Sequence, residues 1–289
     1  MGTVFILIAI FLVSVEPIIV KSAYNSQNIN PFSIILFKNL IGGLIIIPLI
    51  TILGNKLKIL KLSQIFDISR ASVLLLFTTS MMIISLKFIP AVVMLTIFTS
   101  TPAFVSLINS IKGKEKTDWI FWIGFSMAFI GITLLLDIYS KKFSIDSNFF
   151  FGVLFAFLGV LSSSLYRTNL DDLTNRYTPI VVSTYIFLLN SIIVGICYIF
   201  FSRWIEIESI SMMIGIYGGV AGALANVSFL YALSILGSTK VSILNMLQQP
   251  TIIILSSIIL KEYLSIQQII GIVLVLLGIN LAIKRIIKV

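Results

Sequence analysis

Residues 112–131 read KGKEKTDWIFWIGFSMAFIG, and residues 261–278 read KEYLSIQQIIGIVLVLLG. Each stretch has a Lys-Glu pair, Lys114-Glu115 or Lys261-Glu262, and then an apolar run carrying two glycines seven positions apart. Glu115 and Glu262, Gly124 and Gly271, and Gly131 and Gly278 are each separated by 147 positions, about half of the 289-residue chain. The chain therefore reads as a unit written twice. If each unit crosses a membrane an odd number of times, the second copy enters from the opposite side, so the helix count per unit decides the fold.

Composition supplies the solvent. The chain is 58% hydrophobic and 11% charged, with a mean hydropathy of +1.13. Soluble domains carry roughly a quarter charged residues, and this much apolar surface could not be hidden from water. In lipid, only helices or a closed barrel satisfy every backbone N–H and C=O. Barrel strands alternate apolar and polar residues over ~10 positions; here the apolar runs are long and unalternated, so helices are expected. The single cysteine, Cys197, excludes an intramolecular disulfide, and the absence of histidine removes the commonest metal ligand and neutral-pH base. The net charge of +9 reads as loop bias rather than a nucleic-acid surface, because the cations lie between the apolar runs.

Ten apolar segments follow, at about 3–20, 32–53, 71–88, 90–111, 119–137, 149–167, 180–202, 211–234, 238–260 and 266–284, each near the ~20 residues a span needs. The N-terminus has no basic start, its first cation being Lys21, so it reads as a retained first helix. Two junctions are very tight, Phe88-Ile89-Pro90 and Leu236-Gly237-Ser238, and they fall at equivalent places in the halves. With the N-terminus cytoplasmic, thirteen of the 20 cations fall inside, six outside, and Lys38 within a segment. That bias predicts both termini inside a cytoplasmic membrane. Five helices per half is odd, so the expectation is an all-α integral membrane protein of ten transmembrane helices in two inverted five-helix repeats. Such repeats place a site near the midplane between the halves.

A short loop ending in Glu, followed by a helix with glycines seven apart, resembles the closing element of the EamA domain of the drug/metabolite transporter superfamily. Pro102 and Pro250 in the fourth and ninth helices, Lys21, and Tyr166-Arg167 add to the likeness. The resemblance implies two tandem EamA-like repeats, at 1–140 and 147–289, with no cofactor. It implies a secondary transporter, exporting an amino acid or related solute by alternating access with proton coupling or exchange.

The residues name where such work could be done. Glu16 lies in an apolar helix directly before Pro17; a carboxylate at membrane depth costs ~2.5–3.5 kcal/mol on insertion scales and usually faces a bundle interior or cavity. It reads as a proton or cation site, or as an interfacial carboxylate paired with Lys21. The small multidrug exporters of the same superfamily also use a carboxylate in their first helix, a local likeness. Lys38 could bind a substrate carboxylate, pair with Glu16, or snorkel to the interface. Arg167 and Lys87 read as anchors at helix ends. Asn245, Gln248 and Gln249 share one helical face and could line a cavity or bond between helices. Tyr166 and Asn226 are further wall candidates, and Pro17, Pro102 and Pro250 are candidate helix breaks. Trp119, Trp122 and Trp204 suit an interfacial belt. Gly218 and Gly222 form a small-xxx-small pair, expected to pack within a monomer, with a weak homodimer as the alternative.

No phosphate-binding loop, metal cluster or nucleophile with a histidine partner appears, so an enzyme is not expected. The expected partners are the lipid bilayer and a small-molecule substrate, not nucleic acid. Two other readings stay open: transport of cationic amines or drugs through Glu16, and a membrane enzyme or scaffold that carries no flux.

Overall fold

A computed structural model describes residues 1–26, 29–52, 62–136, 147–201, 207–260 and 265–288. Glu262, Lys261 and Trp204, singled out above, lie outside the described residues. The chain runs through α1 (Gly2–Val13), α2 (Glu16–Ser26), α3 (Pro31–Ile52), α4 (Leu62–Phe88), α5 (Ala91–Phe98), α6 (Thr101–Ile111) and α7 (Trp119–Leu135). It continues through α8 (Ser147–Thr174), α9 (Pro179–Phe201), α10 (Ser209–Leu236), α11 (Ser238–Leu244), a one-turn 3-10 helix (Asn245–Leu247), α12 (Gln248–Leu260) and α13 (Ile266–Ile283). A three-residue antiparallel ribbon, β1 (Glu115–Thr117) with β2 (Ile286–Lys288), is the one departure from all-helical structure among the described residues.

Eight helical stretches are long and apolar enough to cross a membrane, and α7, at 17 residues, is a shorter apolar helix. Residues 238–260 do not form one continuous helix; α11, the 3-10 turn and α12 divide them. The protein is a multi-pass membrane protein, and side chains such as Leu44, Phe150, Ile199 and Phe200 stand exposed, where acyl chains, not water, are their solvent.

The 147-residue offset governs the architecture, not only the motif. Shifted by it, the first residues of α4, α5, α6 and α7 (62, 91, 101 and 119) land on the first residues of α10, α11, α12 and α13 (209, 238, 248 and 266). The helix starts are enforced alike. Asp118 caps α7 by accepting from the Phe121 N–H at 3.0 Å. Its 147-shifted counterpart, Ser265, caps α13 in a reciprocal capping box with Gln268. Both tight junctions turn where expected: Pro90 precedes α5, and Gly237 between α10 and α11 sits at φ 84°.

α7 packs on α13, α3 on α10 and α9, α4 on α8, and α1 on α10. The repeated glycines make the first of these contacts. A Cβ built on Gly124 would lie 2.7 Å from the Gly278 carbonyl oxygen, and one on Gly131 would lie 2.8 Å from that of Gly271. Pairing early positions of one helix with late positions of the other makes the contact antiparallel. Gly215 and Gly219 give α10 an equally close approach to α3, where a Cβ on Gly219 would be 2.8 Å from the Lys38 carbonyl oxygen. That close approach within the chain belongs to Gly215 and Gly219, whereas Gly218 and Gly222, the pair expected to make it, face the side chains of Glu16 and Lys38.

Candidate functional site

The first membrane stretch is broken at Ser14-Val15, and the break puts Glu16 and Pro17 at the first two positions of α2. Proline is tolerated there because its missing N–H has no helical partner to lose. The carbonyl of Val13, four residues back at the end of α1, accordingly receives no donor from position 17. A second break at Thr99-Ser100 precedes Pro102, and the 3-10 turn at Asn245–Leu247 precedes Pro250. Half-helices whose backbone groups are freed are tolerated at membrane depth where they face a cavity.

All three breaks border one cavity system. A chamber of about 220 Å³ is lined by Glu16, Pro17, Lys38, Tyr166, Asn226, Asn245 and Gln248, with Thr79, Phe98, Arg167 and Phe229 among its other walls. A chamber of about 60 Å³ shares Pro17, Phe98, Arg167, Asn245 and Gln248 with it and adds Thr99, Pro102, Ser242 and Gln249. Pro250 lines neither. Positions 147 apart face the larger chamber in pairs: Glu16 and Ser163, Thr79 and Asn226, Met82 and Phe229, Phe98 and Asn245.

Glu16 and Lys38 are both buried and form an ion pair, Lys38 Nζ donating to Glu16 Oε1. Lys38 neither snorkels nor waits empty-handed, and Glu16 does not pair with Lys21, whose Nζ donates instead to the Leu86 carbonyl oxygen at 2.9 Å. Gly218 makes room for the pair, since a Cβ there would lie 3.1 Å from Glu16 Oε1. Across the chamber Asn226 Nδ2 donates to the Tyr166 hydroxyl at 3.0 Å. Gln249 Oε1, by contrast, is buried with no partner among the described residues.

Arg167 is where the structure departs most from the sequence reading. It is no anchor at a helix end, because α8 continues for two more turns to Thr174. It is half-buried, its guanidinium carbon is 5.0 Å from the Phe229 ring centroid, and it lines both chambers. The apolar run ends at Tyr166, before the helix does, which disguised its position; Ser163, one helical turn earlier, was the available signal.

Two polar knots join the halves at opposite ends. At the end carrying Gly2, Thr239 donates to the buried Glu115 carboxylate, and Asn109 Nδ2 donates to Ser238 and Thr239 at 2.8 and 2.9 Å. Asp171 accepts from the backbone N–H of Ser238 at 2.9 Å and from its hydroxyl. At the other end Glu208, before α10, accepts from the Asn30 N–H and the Ser33 hydroxyl, both at 3.2 Å.

A family model described as the EamA-like transporter family matches residues 1–137 and 150–284. No curated protein matches the chain. A solved structure described only as "Crystal structure of protein" superposes with a TM-score of 0.74 at 16% identity, covering 97% of this chain and 96% of that one. At that identity the likeness concerns the fold alone.

Proposed function

Since the chain belongs to the EamA-like transporter family, we propose that it is a secondary transporter that moves a small metabolite, an amino acid or related solute, across the cytoplasmic membrane by alternating access. The observation that carries this reading is the chamber between the halves, walled by residues 147 positions apart and holding the Glu16–Lys38 pair. In this reading the ten segments form two inverted five-helix repeats, 1–140 and 147–289, with the broken 238–260 stretch as one span and both termini cytoplasmic. The antiparallel, reciprocal contact of α7 with α13 supports it, because elements related by a two-fold axis in the membrane plane meet in that way.

Alternating access requires each end to open in turn. The Glu115–Thr239 knot and the Glu208–Asn30 knot are among the contacts between halves that would have to break. Protonation of Glu16 would release Lys38 and uncouple the charges in the chamber wall, which gives proton coupling or exchange a physical route. The chamber volume, about 220 Å³, is below the ~300–1,000 Å³ of drug-sized pockets and favours a metabolite. The alternative in which Glu16 receives a cationic amine loses support from Lys38, which already occupies that carboxylate.

Flux of labelled amino acids and related solutes into or out of vesicles holding the purified protein tests the proposal. Saturable transport is expected; folded protein that moves nothing across a broad panel would favour a scaffold or enzyme instead. Within a transporting protein, Glu16→Gln should remove the pH dependence of flux and leave the fold intact, and unaltered pH dependence would remove Glu16 from the coupling role.

A further inference from the structure

The charges in the chamber do not cancel. Glu16 and Lys38 neutralise each other, and Arg167 remains as the charged wall residue with no carboxylate partner among the described residues. The nearest candidate along α8 is Asp171, one turn further on, but its two oxygens are taken by the N–H and hydroxyl of Ser238. Arg167 instead leans on neutral groups: Nε donates to Ser163 Oγ at 3.4 Å and Nη1 to Ser242 Oγ at 3.3 Å. The Phe229 ring supports one face of the guanidinium at 5.0 Å.

A guanidinium has five N–H donors in a rigid fork. Two are engaged, weakly, by hydroxyls, and the rest have no acceptor among the described residues. Away from bulk water, a cation without a counter-ion is costly, and a planar fork held between a ring and two hydroxyls is preorganised for a two-oxygen anion. We propose that Arg167 is the docking point for the carboxylate of the transported solute, which makes the substrate class carboxylate-bearing solutes, zwitterionic amino acids included, and excludes simple amines. This rests on the reading that the chamber holds the solute, and it deepens that reading by naming the group recognised. Ser163, Ser242 and Phe229 are positioning residues that fix the plane of the guanidinium.

The test is ligand stabilisation of the full-length protein in detergent, which does not require flux. The panel is L-leucine, L-threonine and L-glutamate, each with its amide and its decarboxylated amine, against wild type, Arg167→Gln and Arg167→Lys. Ligands that bind the folded state raise its unfolding midpoint. The expected result is that free carboxylates stabilise wild type and their amines do not. Arg167→Gln should then lose carboxylate binding by about a hundredfold, and Arg167→Lys, which keeps the charge but not the fork, by about tenfold. If amines stabilise wild type as well as the parent amino acids do, if Arg167→Gln binds carboxylates within twofold of wild type, or if no carboxylate stabilises wild type, the assignment is overturned. Should Arg167→Gln fail to fold, the lysine variant decides, because unchanged affinity there removes the fork from recognition. A protein that binds carboxylates at Arg167 but moves none across vesicles would overturn the transport reading alone.

Discussion

Gly131 and Gly271 meet backbone to backbone across the α7–α13 contact. A Cβ on Gly131 would lie 2.8 Å from the carbonyl oxygen of Gly271, and a Cβ on Gly271 would lie 2.7 Å from that of Gly131. Each is the other's obstacle, so neither can carry a side chain unless the helices part. Gly131→Ala and Gly271→Ala are each expected to destabilise the protein by about 1–3 kcal/mol, the range for overpacking. The double substitution should cost less than the sum, because one separation of the helices relieves both clashes. Unfolding midpoints of the three variants in detergent check this; full additivity would mean that the two positions do not share a contact.

The Glu16–Lys38 pair lies 22 positions apart in the chain and is buried at both ends. Removing one partner leaves a charge with no counter-ion, a loss of about 3–5 kcal/mol for buried pairs, whereas replacing both with apolar groups of similar shape is often neutral. Lys38→Met and Glu16→Leu should therefore each lower the unfolding midpoint more than the double variant does. Glu16→Gln, which keeps an oxygen to accept from Lys38, should fall between wild type and Glu16→Leu. A double variant less stable than both singles would argue that the pair stabilises the fold outright.

Eight spans were legible in the sequence because a membrane helix is a long apolar run, and the tight turns at Pro90 and Gly237 were legible because those residues cannot continue a helix. What the chain does at Ser14-Val15 was not. Pro17 signals a disturbed turn there, but periodicity does not tell a bent helix from one that breaks and starts afresh at Glu16, as α2 does where it packs on α4 and α10. The polar residues facing the chamber could be picked out as polar groups at depth, since lipid makes such groups expensive. Which pairing forms could not be decided, the Glu16–Lys38 pair being one of several open readings, because periodicity places a residue on a face and leaves open which helix that face meets. Arg167 shows the converse error: α8 outlasts its own apolar run by ending in a stretch, Thr168 to Thr174, that is polar apart from Leu170 and Leu173, so hydropathy put the helix end too early.

Thr239 and Glu115 come from different halves, and their hydrogen bond joins the halves at the Gly2 end. Thr239→Val keeps the shape and removes the donor, leaving Glu115 only the 3.3 Å contact from Asn109. A half-satisfied buried carboxylate is worse than either a full network or none, so the variant should favour opening at this end. With Cys197→Ser removing the native thiol, a cysteine placed at Ser242, one turn into α11, should react several-fold faster with a membrane-impermeant maleimide applied from the Gly2 side. Equal labelling rates with and without Thr239→Val would show that the knot does not control access.

Gly113 and Gly237 both have positive φ, 67° and 84°, but the two positions differ in what a side chain would cost. Gly113 faces open space, with nothing within 4 Å of a built Cβ, and its φ lies in the left-handed region that Asn adopts readily. Gly237 combines φ 84° with ψ 161°, a region that is essentially closed to residues with a Cβ and costs about 1–3 kcal/mol to occupy. It also sets the turn that delivers Ser238 to Asp171 and Thr239 to Glu115. Gly113→Asn should leave the unfolding midpoint and the maleimide labelling at Ser242→Cys close to their starting values. Gly237→Ala should lower the midpoint and speed labelling from the Gly2 side together, because straining the turn pulls both hydroxyl donors away from their carboxylates; a lower midpoint with unchanged labelling would confine Gly237 to a purely local role in the turn.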